Sequence, residues 1–173
     1  MTDPIDRVQE LFGGVGGRAY LGEDVTIATH MLQAAARAEA AGAGDALVAA
    51  ALLHDVGYLL GAREVDHPVV AARWLAHWLP SAVTEPVLLH VEAKRYLCAV
   101  DGAYVAALSS ESIRTLALQG GPLSPDAAAE FAAGPHGAAA VAVRRWDDGG
   151  KVTGVTTGSI DLYRDLLGSL RQA

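Results

Sequence analysis

The sequence predicts an all-α protein folded as a helical bundle, and three features carry that expectation. Hydrophobic residues make up 51% of the chain but aromatic ones only 6%, so alanine, leucine and valine must supply most of the packing, which suits closely approaching helices. Apolar residues recur at helical spacing, as in Ile27, Met31, Ala34 and Ala38. Helix punctuation is frequent, with capping residues ahead of prolines and glycines behind apolar runs. A chain of 173 residues can bury one sizeable core. It shows no internal repeat, low-complexity linker or domain boundary, so residues 1–173 are read as a single domain.

Taken in order, Asp3 is an N-cap and Pro4 a first-turn residue of a helix reaching about Phe12. Gly13, Gly14, Gly16 and Gly17 then read as a break. No strand precedes them and their spacing is not GxGxxG, so they predict a hinge or loop rather than a phosphate cradle. A long helix is expected from about Glu23 to Ala41, ending at Gly42, with His30 on or near its buried stripe. Asp45 can cap the next helix, whose run Ala46–Leu53 is almost wholly apolar and delivers His54 and Asp55. A further helix starts near His67-Pro68 and ends by Pro80. Thr84 is expected to cap another, with Glu85 and Pro86 in its first turn, reaching Cys98. Ser109 or Ser110 caps a segment to Gln119, closed by Gly120-Gly121-Pro122, and Ser124-Pro125 opens the next. Residues 136–146 and 159–170 read as the last helices, with Gly149-Gly150-Lys151 as the turn between them.

Composition excludes several classes. The net charge is −7 and the pI about 5.2, and no lysine or arginine run could track a phosphate backbone, so a nucleic-acid partner is not expected. A small anionic ligand needs only two or three convergent cations and is not excluded. Cys98 is the sole cysteine, so any metal must use nitrogen and oxygen ligands. The start has no cationic and apolar leader pattern, and the run Ala46–Leu53 is too short to span a bilayer. A cytoplasmic protein with no membrane partner is the expectation.

His54-Asp55 is the central signal. An imidazole and a carboxylate at the end of a buried apolar helix cost several kcal/mol, on the order expected for unpaired polar burial, unless they are paired or metal-bound. Histidines on neighbouring predicted helices and a downstream aspartate extend the set to His30, His54, Asp55, His67, His90 and Asp147, enough for two ions of iron, manganese or zinc. His77 and His136 read as ordinary histidines. Lys94 lies four residues after His90 and Arg144 three before Asp147, so each shares a helix face with a candidate ligand. A cation beside metal ions makes sense only if an anion is shared between them.

The strings Tyr20-Leu-Gly-Glu23, Leu52-Leu-His-Asp55, His90-Val-Glu-Ala-Lys-Arg-Tyr-Leu97, Leu108-Ser-Ser-Glu-Ser112, Leu118-Gln-Gly-Gly-Pro122 and Arg144-Arg-Trp-Asp147 resemble the HD-domain mixed-valence diiron oxygenases of the PhnZ type. The resemblance spans about residues 20 to 163. It implies an HD-domain helical bundle, with residues 1–22 as N-terminal helix and lid segment and 23–173 as the metal-binding core. It further implies two iron ions in the Fe2+/Fe3+ state, dioxygen as co-substrate and a small 1-hydroxyphosphonate substrate, of the 2-amino-1-hydroxyethylphosphonate kind, cleaved to inorganic phosphate. By motif, His30, His54, Asp55, His67, His90 and Asp147 would be ligands with Asp55 bridging. Lys94, Arg144, Ser112 and Gln119 would hold the phosphonate, and Tyr20 and Glu23 would form a lid, the glutamate favouring a cationic substituent. The family pattern has a histidine three residues after the HD aspartate. Tyr58, longer and without positive charge, stands there and is counted with the substrate residues.

Competing readings use the same ligands. An HD phosphohydrolase would cleave a small phosphate ester or nucleotide without dioxygen, a related oxygenase would open a polyol ring, and a regulatory module would bind metal without turnover. Monomer and homodimer both stay open.

Overall fold

The computed structural model describes residues 2–20, 22 and 24–172, and all regular structure among them is helical. Helix α1 (Pro4–Leu11) is capped by Asp3, whose carboxylate accepts from Ile5 N at 2.8 Å, and it buries Ile5, Val8 and Leu11. The break expected at the glycines does not occur. The chain instead winds on through a π-turn, Phe12–Gly16. That turn buries Phe12 and presses Gly16 inward, where a Cβ would stand 3.0 Å from Leu59 Cδ1 and 3.3 Å from Ala28 Cβ. Here glycine permits a close approach rather than ending a helix.

Helix α2 (Ile27–Ala40) starts later than expected, because Thr26 takes the extended cap conformation and its hydroxyl accepts from Thr29 N at 3.2 Å. Helix α3 (Asp45–Leu53) is capped by Gly44, with Asp45 in its first turn rather than at the cap. Every residue from Val48 to Leu53 is buried. A helix without a polar face has to be an inner one. After His54 and Asp55 the chain resumes as the short α4 (Val56–Leu59), which the sequence did not announce, and reaches α5 (His67–Leu75). These two meet at Gly57, where a Cβ would lie 2.1 Å from the His67 carbonyl oxygen. Only a glycine allows that contact.

Helix α6 (Ser81–Val100) begins before Thr84, so Pro86 stands inside it and not in its first turn. A proline there forfeits a backbone bond, at a cost of about 3 kcal/mol; burial of Val83, Thr84, Pro86 and Val87 works against that cost. Asp101 caps α7 (Gly102–Ala107), also unforeseen. Ser109 and Ser124 cap α8 (Ser110–Leu118) and α9 (Pro125–Ala133) as expected. Helix α10 (Gly137–Gly149) runs past Trp146, which brings Asp147 inside it. An irregular strap, 150–159, leads to a 3-10 turn (Ile160–Tyr163) and α11 (Arg164–Ser169). α6 packs on α10, α5 and α3, while α2 packs on α3 and α10. The principal core cluster draws on residues from Ile5 to Leu167, and a smaller one joins Leu97, Cys98, Tyr104 and Leu116.

Candidate metal centre and anion pocket

Four histidines converge from four places in the chain: His30 on α2, His54 at the end of α3, His67 at the start of α5 and His90 on α6. Each directs Nδ1 at a backbone carbonyl, His30 at Gly150 (3.0 Å), His54 at Ala51 (2.8 Å), His67 at Glu64 (2.6 Å) and His90 at Val87 (2.7 Å). A carbonyl can only accept, so Nδ1 carries the proton and Nε2 faces inward. The Nε2 atoms form two pairs, His30 with His54 at 3.0 Å and His67 with His90 at 3.1 Å. Two nitrogens each about 2.1 Å from one ion at right angles stand about 3.0 Å apart, so the donor set fits a metal in each pair.

Asp55 lies between the pairs. Its Oδ2 is 3.5 Å from Nε2 of both His30 and His54, and its Oδ1 is 3.2 Å from His67 Nε2 and 3.6 Å from His90 Nε2. Two three-residue groups able to hold an ion result, sharing Asp55. Asp147 joins the first, with Oδ1 3.2 Å from His30 Nε2 and 3.9 Å from His54 Nε2.

The electrostatics follow. Burial opposes a charge on His30, yet hydrogen bonds to Asp147 and Asp55 prevail and raise its pKa to about 9. Burial pushes His54 down to about 4. Burial works to raise Asp55 too, but His54 beside it and hydrogen bonds from His30, His67 and His90 hold it well below the carboxylate range. Asp147, likewise buried, is held down by Arg144 and Lys151. Without metal, positive charge on His30 therefore sits between two carboxylates, where a cation would.

One cavity joins this centre to a cluster of cations. It is lined by His30, Asp55, His67, His90 and Asp147 together with Lys94, Ser112, Thr115, Gln119, Arg144 and Lys151. Lys94 is only 2% exposed and donates to Thr115 Oγ1 at 2.9 Å and to the Ser112 carbonyl at 3.5 Å. Burial, and Arg144 nearby, lower its pKa to about 8. The Arg144 guanidinium is largely engaged by protein groups: Asp147 Oδ2 at 2.5 Å, Asp148, and the Tyr104 hydroxyl at 3.0 Å, with Nη2 3.3 Å from Ser112 Oγ. Gln119 Oε1 is buried without a hydrogen-bond partner. Tyr58 lines the cavity and stacks on His67, ring centroids 4.1 Å apart at 16°. Burial and Asp55 raise its hydroxyl pKa.

Of the expected lid, Tyr20 is 61% exposed and does not line the cavity, and Glu23 lies outside the described residues. His77 is exposed and His136 half-buried, both apart from the centre. Sequence reasoning missed Lys151, whose Nζ is 3.7 Å from Asp147 Oδ1 and 3.2 Å from Ser112 Oγ. Its signal was available, since Lys151 follows Asp147 by four residues as Lys94 follows His90. Thr115, Tyr104 and Asp148 were missed as well.

No family model matches the chain. It is 41% identical over 172 residues to a hydroxymethylphosphonate dioxygenase of Gimesia maris, covering 92% of this chain and 86% of that one. It is also 41% identical over 157 residues to a [1-hydroxy-2-(trimethylamino)ethyl]phosphonate dioxygenase (glycine-betaine-forming) of Leisingera caerulea, covering 83% and 80%. The chain belongs to the PhnZ-type phosphonate dioxygenases. A PhnZ-type dioxygenase is an oxygenase of phosphonate catabolism and uses dioxygen, and the histidine–aspartate groups here are able to bind metal. The two PhnZ-type relatives differ in what hangs from the hydroxylated carbon, nothing in one name and a trimethylamino-substituted carbon in the other. Among the described residues no helix is long and apolar enough to cross a membrane.

Proposed function

We propose that this chain oxidises a small 1-hydroxyphosphonate with dioxygen, breaking the carbon–phosphorus bond and releasing inorganic phosphate. The observation that carries the reading is the single cavity in which Asp55, split between two histidine pairs, meets the buried Lys94. In this proposal His30, His54 and Asp147 hold one iron, His67 and His90 the other, and Asp55 both. A ferrous and a ferric ion held there would supply activation of dioxygen and oxidation at the carbon that bears phosphorus.

The chain's own residues bind and orient. Lys94, Ser112 and Lys151 surround the position for the phosphonate oxygens, and the unpartnered Gln119 Oε1 can accept from the substrate's hydroxyl or a protonated phosphonate oxygen. Arg144, tied to Asp147 and Asp148, acts chiefly by fixing Asp147 and offers Ser112 one remaining edge. Tyr58 forms the wall over His67 and limits the group attached to the hydroxylated carbon. Tyr20 and Glu23 keep the lid role, with a small amine-bearing substrate of the 2-amino-1-hydroxyethylphosphonate kind favoured by the glutamate. Residues 1–173 act as one HD-domain unit in the cytoplasm. The overall change balances: the hydroxylated carbon becomes a carboxylate, phosphorus leaves as phosphate, and both atoms of dioxygen are accounted for.

The test is phosphate release by the iron-loaded protein from a panel of 1-hydroxyphosphonates, in air and under strict anaerobiosis. Release only with dioxygen, together with the matching carboxylate, is the expected result. Hydrolysis of a phosphate ester without dioxygen, and no phosphonate turnover, would replace this reading with the phosphohydrolase.

A further inference from the structure

Three of the four inward-facing histidines are oriented by their own turn: His54, His67 and His90 each direct Nδ1 at the carbonyl three residues earlier. His30 differs. Its acceptor, Gly150 O, lies 120 residues away, on the strap that follows α10. That strap has no regular structure between residues 150 and 159, so something else must hold it where His30 needs it.

The holding group is Gln33, one turn beyond His30 on α2 and only 4% exposed. Its amide binds the main chain of Val152 at both ends, Nε2 donating to Val152 O at 2.8 Å and Oε1 accepting from Val152 N at 2.9 Å. The same Nε2 is 3.4 Å from Val155 O. A side-chain amide here substitutes for a missing strand partner. Close approach completes the seat: a Cβ at Gly150 would lie 3.0 Å from His30 O and 3.1 Å from Ala34 N. His30, Gln33 and Ala34 thus form one stripe of α2 on which the strap is laid. Between the two clamped points, Gly150 and Val152, stands Lys151, which faces Asp147 and Ser112 in the cavity.

We propose that Gln33 is a positioning residue of the site. Through one two-ended amide it sets the orientation of His30, by way of Gly150 O, and the placement of Lys151 at the anion pocket. It touches neither substrate nor metal. The inference rests on the metal-binding part of the proposed function but on no step of turnover.

Its test uses Gln33→Leu, which keeps the volume and removes both bonds, and Gln33→Glu, which keeps an acceptor for Val152 N and loses the donor. Val152 is exposed at the surface, so its freed main chain can be hydrated and the fold retained. Manganese(II) affinity is measured by chelator competition, and amide exchange is followed along the full-length, metal-loaded chain. The expected result for Gln33→Leu is binding of one of the two ions weakened by about 10- to 100-fold, the scale of losing a group that orients a ligand. Exchange should accelerate over 150–155 while α3 and α6 keep their protection, and Gln33→Glu, which sets a carboxylate oxygen against the Val152 and Val155 carbonyls, should accelerate it at least as much. Unchanged affinity and exchange would overturn the proposal. So would equal weakening of both ions with faster exchange throughout α3 and α6, which marks a merely structural role. Because neither readout involves a phosphonate, failure of the turnover assay would leave this result independently decided.

Discussion

Lys94 is buried among helices and donates to two neutral acceptors, the Ser112 carbonyl and the Thr115 hydroxyl, and replacing it with methionine separates its binding role from its structural cost. Its pKa falls from 10.5 to about 8 in the folded protein. That difference corresponds to about 3 kcal/mol of penalty for keeping the ammonium in place. A folded-state pKa below the unfolded one means that between about pH 8 and 10.5 the unfolded chain holds a proton the folded chain has released. Stability therefore rises with pH across that window, and the penalty is fully present below it. Lys94→Met keeps the stem and removes the charge. It also leaves Thr115 Oγ1 without its donor, although that hydroxyl still donates to Ser112 O at 3.2 Å, a loss of about 1 kcal/mol. The net expectation for the metal-free protein at pH 7 is stabilisation by about 2 kcal/mol, or about 4–8 °C in Tm for a chain of this size. The gain should shrink as pH rises above 8 and reverse before pH 10.5, once the remaining penalty is smaller than the loss at Thr115. Thermal melts of both proteins at several pH values measure it. A Lys94→Met variant less stable at pH 7, or a difference indifferent to pH, would refute the reasoning. The same variant should keep its metals and raise KM for the phosphonate by roughly 10- to 100-fold, the scale of a lost charge-assisted bond.

Three further outcomes are expected. Asp55→Ala removes the one carboxylate shared by the two histidine pairs, so metal analysis should find both ions depleted and activity gone; full occupancy would contradict the shared role. Gly57→Ala puts a methyl 2.1 Å from the His67 carbonyl oxygen and should destabilise by about 3 kcal/mol or more in urea unfolding, with the His67–His90 pair losing its ion first. Tyr58→Ala unstacks the ring from His67 and opens the cavity wall, so kcat/KM should shift toward phosphonates with larger substituents; an unchanged preference order would remove Tyr58 from the substrate wall.

Much of the centre could be read because its cause is local. A histidine and an aspartate ending an apolar helix demand partners wherever the helix packs, and the caps at Asp3, Ser109 and Ser124 depend on neighbours within three residues. What could not be read depends on distant contacts. Thr115 meets Lys94 across 21 residues and Gln33 meets Val152 across 119, with no pattern in either segment to pair them. Glycines also mislead when read for freedom alone. Gly16 and Gly57 are there because another helix passes too close for a side chain, and closeness is a property of the packed molecule. Pro86 inside α6 is the converse case, a local breaker overruled by burial.

The inner helix α3 bears on how the centre balances its charge. Asp55 and Asp147 share a cavity with Glu64 and Glu111 and with the cations Lys94, Arg144 and Lys151, so side chains alone leave little net negative charge there for metal cations. The peptide groups of α3 are aligned toward His54, and together they place about half a negative charge at that end of the helix. Val48 to Leu53 are buried throughout, so water does little to screen it. The backbone thus acts as a fixed counter-field that cannot titrate, cannot be displaced by substrate and does not reorganise when ions arrive. Substitutions that distort the last turn of α3 should weaken metal retention even where no ligand changes.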